Sequence, residues 1–183
     1  MIHFKPYQTL LIICLLISCT PTPEQDWSSD YLNIKGSLQW TDTNDQPQQH
    51  SFSWKQTGDT IKLVIPMYGG LAYQVIYANN EYASMSGLYN QTFQSLSELS
   101  GYFFGSPLPH PDIQFWILGQ LPPDHQANNL TYQNNHIQSF SQAGLTITFS
   151  DFDYRFEPAR PKHIQVTTTQ GNLVIKVTEW SDI

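Results

Sequence analysis

From residue 34 onward the chain alternates apolar and polar side chains with a period of two. Ile34, Gly36, Leu38 and Trp40 make the first run, Phe52 and Trp54 the second, Ile61, Leu63 and Ile65 the third, and Leu71, Tyr73, Val75 and Tyr77 the fourth. That repeat is the signature of a half-buried strand. Residues 42–47 (DTNDQP), Thr57-Gly58-Asp59, Gly69-Gly70 and Asn79-Asn80 separate the runs with residues that turn readily or accept positive φ. An antiparallel meander is expected.

The pattern changes over residues 90–119. In residues 91–104 (QTFQSLSELSGYFF), Phe93, Leu96, Leu99 and Phe103 recur at spacings of three and four, an apolar stripe on a helix that Gly105 and Pro107 end. A second, short helix is predicted over residues 111–118 (PDIQFWIL), with proline in its first turn and Ile113, Trp116 and Ile117 on one side. Strands return at residues 130–132, 137–140 and 145–149, around turns at Asn134-Asn135 and Ala143-Gly144. A last hairpin pairs residues 164–168 with 173–177 across Gln170-Gly171-Asn172. This makes about ten strands with no regular alternation of helix and strand, which argues against a parallel α/β fold. The predicted fold is one mostly-β domain, a large antiparallel sheet whose inner face is covered by the helical insertion as by a lid.

The first twenty residues differ from the rest. A short region with Lys5 precedes eight consecutive apolar residues (LLIICLLI, residues 10–17), the length of a signal-peptide core and well short of the roughly 20 residues of a spanning helix. Leu16-Ile17-Ser18-Cys19 resembles a bacterial lipobox, which implies removal of residues 1–18 and lipid attachment at Cys19; Cys14 follows Ile13 and lacks the small neighbour. An ordinary signal peptide that happens to contain cysteines is the alternative. In the lipobox reading several acyl chains anchor the protein stably, where one would hold only marginally. Thr20 stands where inner-membrane lipoproteins of this kind carry aspartate, so the outer membrane is the expected location. Residues 20–29 (TPTPEQDWSS) read as part of a tether, giving a lipidated tether over 19–30 and a folded domain over 31–183. With Cys14 removed and Cys19 alkylated no disulfide can form, and about 165 residues suffice to bury roughly 70% of their unfolded surface without one.

Eight Lys and Arg face fifteen Asp and Glu, for a net charge of −7; removing Lys5 with the leader takes −7 to −8. A nucleic-acid partner is disfavoured. Aromatic residues make up 14% of the chain and charged residues 13%, a balance that suits β structure around either an aromatic core or an apolar cavity. No glycine-rich phosphate loop is present and no cofactor is expected. Asp151 and Asp153, two apart on a predicted strand, would point the same way, either as paired carboxylates or as a solvated acidic strand end. His50, His110, His125, His136 and His163 are scattered without metal-ligand spacing, and no enzyme activity or metal site is expected. The acceptor-like Asn90-Gln91-Thr92 and Asn129-Leu130-Thr131 are read as chance matches in a bacterial envelope protein.

Three segments together resemble the LolB family of outer-membrane lipoproteins. Residues 52–69 (FSWKQTGDTIKLVIPMYG) resemble its aromatic strand, QTG turn, apolar strand and exposed apolar loop. Residues 105–119 (GSPLPHPDIQFWILG) are similar to its Gly-x-Pro-x-Pro followed by Trp-Ile-Leu-Gly, and residues 161–180 (PKHIQVTTTQGNLVIKVTEW) to its closing hairpin and terminal tryptophan. The resemblance implies an open, incomplete antiparallel barrel with helices in its mouth, and a monomeric receptor that takes lipoproteins from the periplasmic carrier LolA and inserts them into outer-membrane lipids. It also implies an acyl-chain cavity, for which Trp40, Phe52, Trp54, Leu63, Ile65, Phe103, Trp116 and Phe149 are the candidates, each with ordinary core as its alternative. Met67-Tyr68, ahead of Gly69-Gly70, occupies the place of the projecting membrane loop, with tyrosine where the family carries an apolar residue; a packed hairpin turn is the other reading. The helix before the first strand looks short. The rival function is an outer-membrane lipoprotein that binds another hydrophobic or glycan ligand, or an envelope scaffold.

Overall fold

Eleven strands share one antiparallel sheet in a computed structural model that describes residues 31–41, 46–105, 107–109, 112–123 and 125–181. In chain order they are β1 (Tyr31–Thr41), β2 (Pro47–Thr57), β3 (Thr60–Met67), β4 (Ala72–Ala78), β5 (Ala83–Gly87) and β6 (Gln91–Phe93), then β7 (Asn128–Gln133), β8 (His136–Gln142), β9 (Leu145–Asp153), β10 (Arg160–Thr167) and β11 (Asn172–Ser181). Between β6 and β7 lie two helices, α1 (Leu96–Phe104) and α2 (Asp112–Ile117). The leader over residues 1–18, Cys19, the tether to residue 30, residues 42–45, His110 and Pro111 fall outside the described residues.

The spatial order is β6-β5-β4-β3-β2-β1-β11-β10-β9-β8-β7. Two meanders are therefore joined at their middle by the first and last strands, and the sheet's free edges, β6 and β7, are not paired with one another. The barrel is open, and the chain crosses from one edge to the other through α1 and α2. Gly36 makes the central seam possible. A Cβ there would stand 1.9 Å from the Lys176 carbonyl oxygen, beside the register shift at Lys35/Gly36.

Alternation decides the core. Leu32, Ile34 and Leu38 of β1, Phe52 and Trp54 of β2, Ile61, Leu63 and Ile65 of β3, and Leu173, Ile175 and Val177 of β11 all turn to the inner face and are buried. Leu99, Ile113, Trp116 and Ile117 from the helices complete the same cluster.

Four expectations are corrected. The first helix begins at Leu96 rather than at residue 91: Ser95 caps it by accepting from the Glu98 N–H, Glu98 reaches back to the Gln94 N–H, and residues 91–93 are strand β6. The inner face of β4 is Gln74, Ile76 and Ala78, so Tyr73, Val75 and Tyr77 point outward. Gln74 tolerates burial because its amide donates to the Ser86 and Tyr89 carbonyls and accepts from the Tyr89 N–H. Strands β5 and β6 are additional to the runs read from the pattern, since β5 (ASMSG) pairs its small buried Ala83 and Met85 with polar neighbours too weakly apolar to stand out. Asp151 and Asp153 do not share a direction: Asp151, at φ +54°, is exposed and pairs with Lys162 at 3.2 Å, whereas Asp153 is buried against Arg155.

Candidate functional site

A cavity of about 50 Å³ lies between the inner face of the sheet and the two helices. The sheet contributes Leu38, Phe52, Trp54, Ile61, Leu63, Ile76, Leu173 and Ile175; α1 and the chain after it contribute Leu96, Leu99, Ser100, Phe104 and Leu108, and α2 adds Ile113 and Ile117. Its wall is apolar save for Ser100, whose hydroxyl is spoken for. That hydroxyl donates to the Ser97 carbonyl at 2.9 Å and accepts from the Leu108 N–H at 2.7 Å, which folds the chain after α1 back against the helix. Gly105, at φ +68°, makes the reversal.

The second helix is fastened by polar side chains. Gln56 of β2 donates to the Gln114 side chain of α2. Asp112, 1% exposed, accepts from Gln142 of β8 at 2.6 Å and lies 2.9 Å from His125 Nδ1. These bonds link α2 to strands on both sides of the central seam. The described contacts of α1 with the sheet are apolar, through Leu96, Leu99 and Phe104 over the cavity.

Of the side chains predicted from sequence for the cavity, Phe52, Trp54 and Leu63 line it. Ile65, Trp116 and Phe149 are buried in the surrounding core, Phe149 against Phe140. Trp40 is half-buried, meets His50 at a tilt and Phe104 edge-to-face, and borders an open pocket with Gln39, Gln49 and Val174. Phe103 is half-buried between Tyr102 and Phe104. The alternation and the helix stripe already contained the signal for Leu38, Ile61, Leu96 and Leu99; the crossing of α1 over the sheet selects which inward residues meet space.

Met67 and Tyr68 lie at the β3–β4 tip and part company there. Met67 packs against the core, while Tyr68 is 72% exposed. The backbone runs through positive φ at Tyr68, Gly69 and Gly70 in turn (49°, 67° and 92°). A non-glycine residue held there costs about 1–3 kcal/mol. Beyond the glycines Leu71 is 90% exposed, although its spacing with Tyr73, Val75 and Tyr77 predicts an alternating strand position.

The buried acid beyond the cavity has a local explanation. Three hydrogen bonds from the Arg155 guanidinium lower the Asp153 carboxyl from its ordinary value near 3.8 to about 2. Among the described residues no three His, Cys, Asp or Glu side chains gather as a metal site, and no helix is long and apolar enough to cross a membrane.

Two comparisons bear on this architecture. The family model described as "Outer membrane lipoprotein LolB" matches residues 31–180. The crystal structure of a LolA superfamily protein from Nitrosomonas europaea is similar to this fold at a TM-score of 0.52, with 8% identity, covering 85% of this chain and 87% of that one.

Proposed function

This chain belongs to the family of the outer membrane lipoprotein LolB, and from that premise we propose that it receives lipoproteins from a LolA-like periplasmic carrier and releases them into the outer membrane. In this reading residues 1–18 are removed, Cys19 carries the lipid, residues 19–30 are the tether, and residues 31–183 act as a monomeric acyl-chain-binding domain on the periplasmic side. The carrying observation is the apolar cavity closed by two helices that bridge the open edges of the sheet.

An acyl chain of roughly fifteen methylenes, at ~0.8 kcal/mol each, costs on the order of 12 kcal/mol to expose to water. A passenger so attached needs a shield throughout its passage. A water-sized group needs roughly 10–15 Å³ of free space for its centre, so the cavity of about 50 Å³ takes about four of the roughly fifteen methylenes. Uptake therefore requires a helix to withdraw. We assign that motion to α1, which rests on apolar contacts, while α2 stays pinned through Gln56 and Asp112. Phe52, Trp54 and Leu63 then become the acyl-chain floor, with Ile65, Trp116 and Phe149 as its support. The passage needs no nucleotide: a ligand moves from weaker to tighter binder, and then to the bilayer, on differences of affinity alone. Tyr68 meets the outer-membrane lipids at release.

The test is transfer. Full mature chain, made without acylation, is mixed with a carrier loaded with a labelled lipoprotein and recovered by pull-down. Label moving onto this chain supports the reading; label that stays on a carrier competent toward another acceptor refutes it.

A further inference from the structure

The β3–β4 tip does not stand alone. Antiparallel pairing of Gln74 with Gly87 brings the β5–β6 turn to the same end of the sheet, one strand over. That turn exposes Leu88 and, at 62%, Tyr89. It is also held in place. The buried Gln74 side chain bonds the Ser86 carbonyl and both backbone groups of Tyr89 at 2.9–3.0 Å, and Asn90 Oδ1 accepts from the Gly87 N–H. A buried amide thus serves to fix the position of two exposed hydrophobic side chains.

Charge is arranged to match. Residues 63–97 contain one charged residue, Glu81, and it sits in the β4–β5 turn at the opposite end of these strands. In a chain of net charge −7, the two tips themselves are therefore free of charge. Contact with a bilayer there would desolvate no ion, and tyrosine suits the headgroup level.

We propose that the membrane-contacting surface is bipartite: Leu71 of the β3–β4 tip and Leu88 of the β5–β6 tip enter the bilayer side by side, with Tyr68, Tyr73 and Tyr89 around them at the interface. This rests on the proposed release into the outer membrane and adds a second hairpin to it. The tether permits the pose. Tyr31, the first described residue, pairs with Thr57 at the far end of β2 and β3 from the tips; β3, with 8 residues, is about 26 Å long, and twelve residue steps from Cys19 to Tyr31 span at most about 40 Å.

The experiment uses full-length acylated protein reconstituted in vesicles of phosphatidylethanolamine and phosphatidylglycerol. Leu71→Cys, Leu88→Cys and, as a control on the exposed edge strand β7, Tyr132→Cys are each labelled with an environment-sensitive fluorophore, and quenching by spin-labelled lipid is read. The expected result is strong quenching at positions 71 and 88 and little at 132. Quenching at 71 alone overturns the second hairpin and leaves the first. Quenching at neither overturns the membrane role of this whole end. A spectral shift at both only after carrier is added overturns the proposal in favour of a protein-docking face.

Discussion

Replacing Leu99 by alanine probes the cavity most directly. Leu99 is 1% exposed, sits on α1 and lines the space beneath it. The change removes three carbons, about 2.4 kcal/mol at ~0.8 kcal/mol per buried group; incomplete relaxation adds a cavity term, and the whole falls within the 2–5 kcal/mol of buried Leu→Ala changes. A loss of about 3 kcal/mol is expected. Removing the three groups enlarges the apolar space from about 50 Å³ toward the ~150 Å³ that admits benzene in a dry apolar cavity. The variant should therefore be less stable in urea yet gain stability on adding benzene, which should leave the parent protein unmoved. Urea denaturation with and without benzene measures both. A stability loss below about 1 kcal/mol, or equal benzene stabilisation of parent and variant, would show that the space is not an enclosed apolar gap under α1.

Three further outcomes follow from individual side chains. Ser100→Ala strips the buried Leu108 N–H of its acceptor and should cost about 1–3 kcal/mol in chemical denaturation, with faster amide exchange at Leu108. Tyr68→Gly relieves a side chain held at φ +49° and should raise stability by about 1 kcal/mol while slowing lipoprotein insertion into vesicles; a destabilised variant would contradict the strain argument. Asp153, lowered by Arg155 from near 3.8 to about 2, contributes stability that is fully present above pH 4 and is lost as pH falls toward 2. Asp153→Asn should flatten the acid limb of a stability–pH curve between those values, and an unchanged limb would remove Asp153 from it.

The local pattern carried much of the fold. Ile61, Leu63 and Ile65 alternate inward as their spacing requires, the turns at Gly58 and at Asn134-Asn135 reverse the chain where their positive φ permits, and the stripe through Leu96 and Leu99 faces the sheet. Those features depend on residues within a few positions of one another, so the sequence alone determined them, together with the lipobox-like start and the long stretch nearly free of charge. Other features depend on partners far along the chain. The seam pairs Ile34 with Trp180 and Leu38 with Ile175, and nothing local announces that the first and last strands meet. On β4 the apolar run Leu71, Tyr73, Val75 and Tyr77 suggested one inner face, but the register with β3 and β5 turned the other inward, with Gln74 satisfied by Ser86 of β5 and Tyr89 of the β5–β6 turn. The same pairing brought Leu88 to the same end of the sheet as Leu71. Alternation in the sequence says which residues can share a face; only tertiary packing decides which face is covered, and the placement of α1 makes an inward Leu63 cavity wall while an inward Phe149 stays solid core.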